Sequence, residues 1–163
     1  MNSVKHIDLI REYGSDILDS EGMKIEKNCV QHGIYSVYDH SLFVTSMCLR
    51  IAKKMKLHVD EKAMVRGALL HDYFLYDWHN KSWANSIHGY THPGKALKNA
   101  EKDFKLGRIE KNMIKRHMFP LTPIPPKYKE GMILCLADKI CALYETFGGI
   151  KHKRRIRKER IRK

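Results

Sequence analysis

The chain of 163 residues has no apolar run approaching the roughly 18 residues of a membrane span. Lys5, Asp8, Arg11 and Glu12 break up the apolar positions of the first twenty residues, so neither secretion nor membrane insertion is expected. Cysteine is scarce. Cys29, Cys48, Cys135 and Cys141 form no CxxC pair, and reduced thiols packed in the core of a cytoplasmic protein are the expectation. No stretch alternates apolar and polar residues as a half-buried strand does, and no segment repeats. Proline is nearly missing outside residues 120–126, which hold four of the five. What is left is a helical chain long enough to bury one core without help from disulfides.

Acidic residues are also few, 18 against 31 Lys and Arg, for a net charge of +13. The excess is local. Residues 151–163 contain nine Lys or Arg and one Glu, which accounts for +8 of the total. The high pI is therefore mostly a property of the tail. Such a run can bind polyanions nonspecifically, but it lacks the interleaved aromatics of a single-strand stacking platform. Residues 1–150 read as one domain, with 151–163 as a basic appendage.

Helical periodicity predicts seven segments. They cover about residues 3–19, 23–32 ahead of Gly33, 36–56 capped by Ser36, and a helix capped by Asp60 that leads into His71 and Asp72. Three more follow: 92–104 capped by Thr91 with Pro93 in its first turn, 108–118, and 127–147 closed by Gly148 and Gly149. On the third, Leu42, Phe43, Met47, Leu49, Ile51 and Met55 form the expected core stripe. Residues 73–90 are aromatic, polar and poorly periodic, and read as an ordered loop. The fold class is all-α, a bundle of six or seven helices.

The polar residues that interrupt these apolar segments carry the chemistry. His71 and Asp72 end an otherwise apolar helix, where burial would be costly without a partner. A divalent metal is the natural one. His40 sits beside Leu42 and Phe43, and Asp138 follows Ile133, Leu134, Leu136 and Ala137, where an unpaired carboxylate is expensive. His92 at a helix start and His117 at a helix end complete the set.

In order and approximate spacing, His40, His71-Asp72, His92, His117 and Asp138 resemble the H…HD…H…H…D pattern of the HD-domain metal-dependent phosphohydrolases. The resemblance spans about residues 30–147 and implies a helical bundle. It further implies that His40, His71, Asp72 and Asp138 hold one metal, and that Asp72 bridges to a second held with His92 and His117. Imidazoles with carboxylates suit Fe, Mn, Zn, Co or Ni. Two such ions roughly 3.5–4 Å apart can generate a bridging hydroxide at neutral pH and hold a phosphoryl oxygen. The implied activity is hydrolysis of a small phosphoester, a nucleotide or related metabolite, with Asp72 as the catalytic centre of the set.

This sequence departs from the family pattern in two places. Many members continue His-Asp with Ile-Gly-Lys, whose Lys helps neutralise phosphate; here Tyr73-Phe74-Leu75 stands instead. Met118 follows His117 where the cyclic-dinucleotide type has adjacent histidines, and its Gly-Tyr-Pro signature is missing. Neither substrate assignment transfers.

Around the motif, Lys95 in the first turn after Thr91, together with Asp77, Trp78 and His88, are the candidate substrate contacts, with His79 and Trp83 in the same aromatic stretch. His88 is also an alternative to His92 as a ligand, though only His92 precedes Pro-Gly in the family manner. Asp39 and Lys139 neighbour proposed ligands and are candidates for orienting them. His6, His32, His58 and His152 read as surface or structural residues. The competing reading is a metal- or nucleotide-binding regulatory module without turnover, engaging RNA or another polyanion through its tail.

Overall fold

The computed structural model describes residues 2–32, 34–76 and 88–161, with side chains described for 6–31, 34–76 and 89–148. Among the described residues there are seven helices and almost no strand, as the expected all-α helical bundle requires. They are α1 (Asn2–Leu18), α2 (Glu21–Glu26), α3 (Val37–Lys54), α4 (Glu61–Leu69), α5 (His88–Asp103), α6 (Arg108–Arg116) and α7 (Lys129–Ile161).

The centre of the bundle is α4, which packs against α1, α3, α6 and α7. Its placement follows from composition: every residue from Ala63 to Leu69 is buried, so no face of this helix can be given to solvent. Asp60 caps it by accepting from the Ala63 N–H, and Glu130 accepts from the Asp60 N–H. Its one buried cation, Arg66, bonds the Asp16 carboxylate at 2.7 Å and the Tyr13 carbonyl at 3.1 Å. Gly67 lets α6 approach, since a Cβ there would lie 2.7 Å from the Met113 sulfur.

Four expectations need correcting. The segment expected to be helical from Met23 to His32 stops at Glu26 and becomes one strand of a short antiparallel ribbon, β1 (Val30–His32) with β2 (Tyr35–Ser36). With two or three residues per strand, the ribbon is too short to show an alternating pattern.

Of the stripe expected on α3, Leu49 is buried and Leu42, Met47 and Ile51 pack against the core, but Phe43 and Met55 are exposed, and the buried face also takes in Val37, His40, Ser41, Val44, Thr45, Cys48 and Ala52. Small and polar residues lie inside because the helix must come close to α4 and α7. The helix ends near the expected Lys56, which adopts a left-handed φ of 53°. The Leu57 and Lys56 N–H groups donate to the Ala52 and Lys53 carbonyls.

Helix α5 begins at His88, so Thr91 is not its cap and Pro93 lies inside it. Lastly, α7 passes through Gly148 and Gly149. Gly148 does not take the left-handed conformation that ends helices at glycine, and it faces the Tyr35 ring instead.

All four cysteines are buried and none is in a disulfide, as expected. No helix among the described residues is long and apolar enough to cross a membrane.

Candidate metal centre

The site forms where helices end. α4 stops at Leu70, and His71 turns its ring back so that Nδ1 donates to the Ala68 carbonyl at 2.8 Å. His117 does the same at the end of α6, with Nδ1 2.8 Å from the Ile114 carbonyl. Each ring satisfies a carbonyl that the helix end leaves unpaired. A carbonyl only accepts, so Nδ1 carries the proton and Nε2 points inward with its lone pair available.

His40 lies in the first turn of α3, whose start is set by a capping box between Ser36 and Asp39. Its Nδ1 is 2.8 Å from Glu145 Oε2 and its Nε2 is 3.1 Å from Asp138 Oδ1, both on α7. His92, on α5, brings its Nε2 to 2.8 Å from that of His117.

Asp72 stands between two groups of histidines. Its Oδ2 is 3.4 Å from His71 Nε2 and 3.9 Å from His40 Nε2. Its Oδ1 is 3.1 Å from His92 Nε2 and 3.4 Å from His117 Nε2. Asp138 Oδ1, 3.8 Å from His71 Nε2, closes the first group.

The ligand atoms fall into three overlapping clusters able to hold a metal ion: His40 with His71 and Asp72, His71 with His117 and Asp138, and Asp72 with His92 and His117. Among them, His71 Nε2 and Asp72 Oδ1 are buried without an aligned hydrogen-bond partner among the described residues. Lone pairs converging in a buried space cost free energy unless a cation fills it, and the donor set suits a divalent transition metal.

The ionisation of these groups follows from their packing. Burial opposes a charge on His40, but the carboxylates of Asp138 and Glu145 prevail and push it up to about 10. Burial would raise Asp72 and Asp138; the surrounding histidines instead hold both well below the usual carboxylate range. Burial lowers His117 below the ordinary imidazole value.

Thus the structure gathers His40, His71, Asp72, His92, His117 and Asp138 in one place. The other sequence candidates fare differently. Lys139 reaches the site's edge, with Nζ 3.4 Å from the His117 carbonyl and 3.2 Å from that of Cys135. Asp39 serves the capping box. Because α5 begins at His88, Lys95 is two turns into the helix, and the expected phosphate site at a helix start is not there. Lys95 instead sits over the Tyr76 ring at 4.6 Å. Tyr76 packs on Phe74, and Phe74 on His92. Asp77, Trp78, His79 and Trp83 lie outside the described residues, as does the side chain of His88.

Three residues were missed. Glu145 lies seven residues after Asp138, two turns along the same face, which was a usable signal. Gln31 donates from β1 to Asp72 Oδ2 at 2.5 Å, and no sequence pattern announces it. Glu26, on α2, is fully buried with neither carboxylate oxygen hydrogen-bonded among the described residues. Burial, and then the charge of Asp72, push its carboxyl well above the usual value.

Glu145 orients His40 without touching the convergent ligand atoms. Glu145→Gln should therefore weaken metal affinity about 10- to 100-fold while leaving the fold intact. Metal titration followed by calorimetry checks this, and unchanged affinity would deny Glu145 the role.

The fold and this His/Asp centre define a helical bundle equipped to hold divalent metal. The model of the HD domain matches residues 37–143, and the chain belongs to the HD domain family. Neither the curated proteins nor the solved structures contain a match.

Proposed function

We propose that the chain is a metal-dependent phosphohydrolase holding two divalent transition metals, drawn from Fe, Mn, Zn, Co and Ni, and cleaving a small phosphoester such as a nucleotide. The observation that carries this reading is the division of Asp72, with Oδ2 toward His40 and His71 and Oδ1 toward His92 and His117. His40, His71, Asp72 and Asp138 would hold one ion; Asp72, His92 and His117 would hold the other. When bound, such ions lower the pKa of water toward neutrality and neutralise charge on a phosphoryl group.

The chain's own residues supply orientation and shielding. Glu145 and the Ala68 and Ile114 carbonyls fix three imidazole rings with Nε2 inward. Gln31 holds Asp72 by its Oδ2. Of the six ligand side chains Asp138 is the most exposed, at 13%, and the substrate would approach on its side.

Lys95 supplies the cation that Tyr73-Phe74-Leu75 lacks. It is exposed and stands over Tyr76 beside the His92 half of the centre, where an entering phosphate can meet it. Lys95→Ala should raise KM about tenfold with little change in kcat, a loss of roughly 1.4 kcal/mol, and Lys95→Arg should restore binding. Unchanged KM would remove Lys95 from the substrate site. Asp77, Trp78 and His88 are proposed as further contacts from their place in the sequence. In this reading the basic segment 151–163 serves nonspecific polyanion binding, and the protein works in the cytoplasm.

The deciding experiment incubates metal-loaded full-length protein with p-nitrophenyl phosphate, its bis ester and a panel of nucleotides. Turnover that disappears in Asp138→Ala supports the reading. A fully metal-loaded protein inert toward every ester would favour the non-catalytic binding module.

A further inference from the structure

Helix α7 turns Asp138 and Glu145 inward and leaves its opposite face bare. On that face Met132 is 46% exposed, Leu136 50%, Leu143 60% and Phe147 62%, with Ile140 half-buried between them. Leu136, Ile140, Leu143 and Phe147 follow one another at intervals of four, three and four, the spacing of a coiled-coil seam. Its three acidic residues up to Gly148, Glu130, Asp138 and Glu145, all lie on the inner side, so no acidic side chain interrupts the stripe.

We propose that this stripe is a homodimer interface in which α7 pairs antiparallel with α7 of a second copy. The seam is self-complementary when reversed: Leu136 meets Phe147 and Ile140 meets Leu143, so one twofold axis satisfies the whole row. Together with the neighbouring Tyr144, the row exposes on the order of 500 Å² per copy. Pairing would then bury up to about 1,000 Å², near the minimum for a biological interface and in keeping with a monomer–dimer equilibrium. An apolar patch of that size is at the upper end of what a monomer leaves open.

Charge selects the direction. Parallel helices would set two +8 segments, residues 151–163, side by side. In the antiparallel pair those segments point away from each other, about 45 Å apart at 1.5 Å per residue. That is several Debye lengths at physiological salt, so their repulsion is screened.

Sedimentation equilibrium of the full chain should show a monomer–dimer equilibrium. Leu136→Asp with Leu143→Asp should weaken it roughly 100-fold or more, with helical content and metal load retained because both side chains are exposed. Direction is read by disulfide trapping, since the native cysteines are buried. A mixture of Leu136→Cys and Phe147→Cys chains should cross-link under mild oxidation. Leu136→Cys alone should not, because its two copies would stand about 16 Å apart along the axis. A chain that remains monomeric at concentrations on the order of 100 µM overturns the proposal and leaves the stripe to another protein or a lipid surface. A dimer indifferent to the double Asp substitution, or cross-linking by Leu136→Cys alone, overturns it as well.

Discussion

Replacing Asp72 with Ala should remove nearly all bound metal and lower kcat/KM by about a thousandfold or more. The size of the effect comes from position. Asp72 meets His40 and His71 through one oxygen and His92 and His117 through the other, whereas His71, His117 and Asp138 adjoin one another in a further cluster. His117→Ala removes a ring that meets Asp72 through Oδ1, so it should leave about one metal per chain and a measurable residue of activity. Equal losses in the two variants, read by elemental analysis beside steady-state kinetics, would mean that Asp72 is an ordinary ligand. Asp72→Asn offers a control for folding, because it keeps the shape and the Gln31 contact while removing the charge.

The second large effect concerns pH and metal removal. In the metal-free protein His40 is held protonated up to about 10, against an ordinary value of 6.5, by the carboxylates of Asp138 and Glu145 that overcome its burial. A raised pKa in the folded state contributes stability that is complete below 6.5 and is lost as pH rises through 10. The depressed carboxyls of Asp72 and Asp138 work in the opposite direction. Their contribution is complete above the ordinary carboxylate value of about 4 and fades as pH falls below it.

The metal-free chain should accordingly be most stable between about pH 4 and 6.5. Bound metal takes over the role of the His40 proton, so the loaded protein should not weaken on the alkaline side in the same way. The gap in Tm between loaded and metal-free protein should therefore widen from pH 6.5 to 10. A few kcal/mol at this chain length corresponds to about 10 °C. A gap that is constant across this range would contradict the ion-pair account of the empty centre.

The site was more legible than its surroundings. His40, His71, Asp72 and Asp138 stood out because each interrupts or ends an apolar helical pattern, whereas His92 and His117, at a helix start and a helix end, stood out through their place in the H…HD…H…H…D resemblance. Their rotamers did not, since the rule that fixes His71 and His117 is a hydrogen bond to the carbonyl three residues back. Glu145 could have been found by following Asp138 two turns along its helix. Gln31 and Glu26 could not, because their approach to Asp72 depends on a ribbon of five residues and on the packing of a six-residue helix. Gly22 shows the same dependence on tertiary contact. A Cβ on it would lie 1.6 Å from the Tyr73 hydroxyl, so the residue following the His-Asp pair packs where only glycine leaves space. Glycine also misled in the other direction at positions 148 and 149, where its composition signals a helix end and the backbone continues.

The central claim is that one carboxylate is shared between two metal ions. Elemental analysis of full-length protein, purified anaerobically and normalised to quantitative amino-acid analysis, tests it most directly. The account predicts close to two transition-metal ions per chain, falling to near zero in Asp72→Ala. One ion per chain in the intact protein, unchanged when His92 or His117 is replaced by Ala, would contradict it.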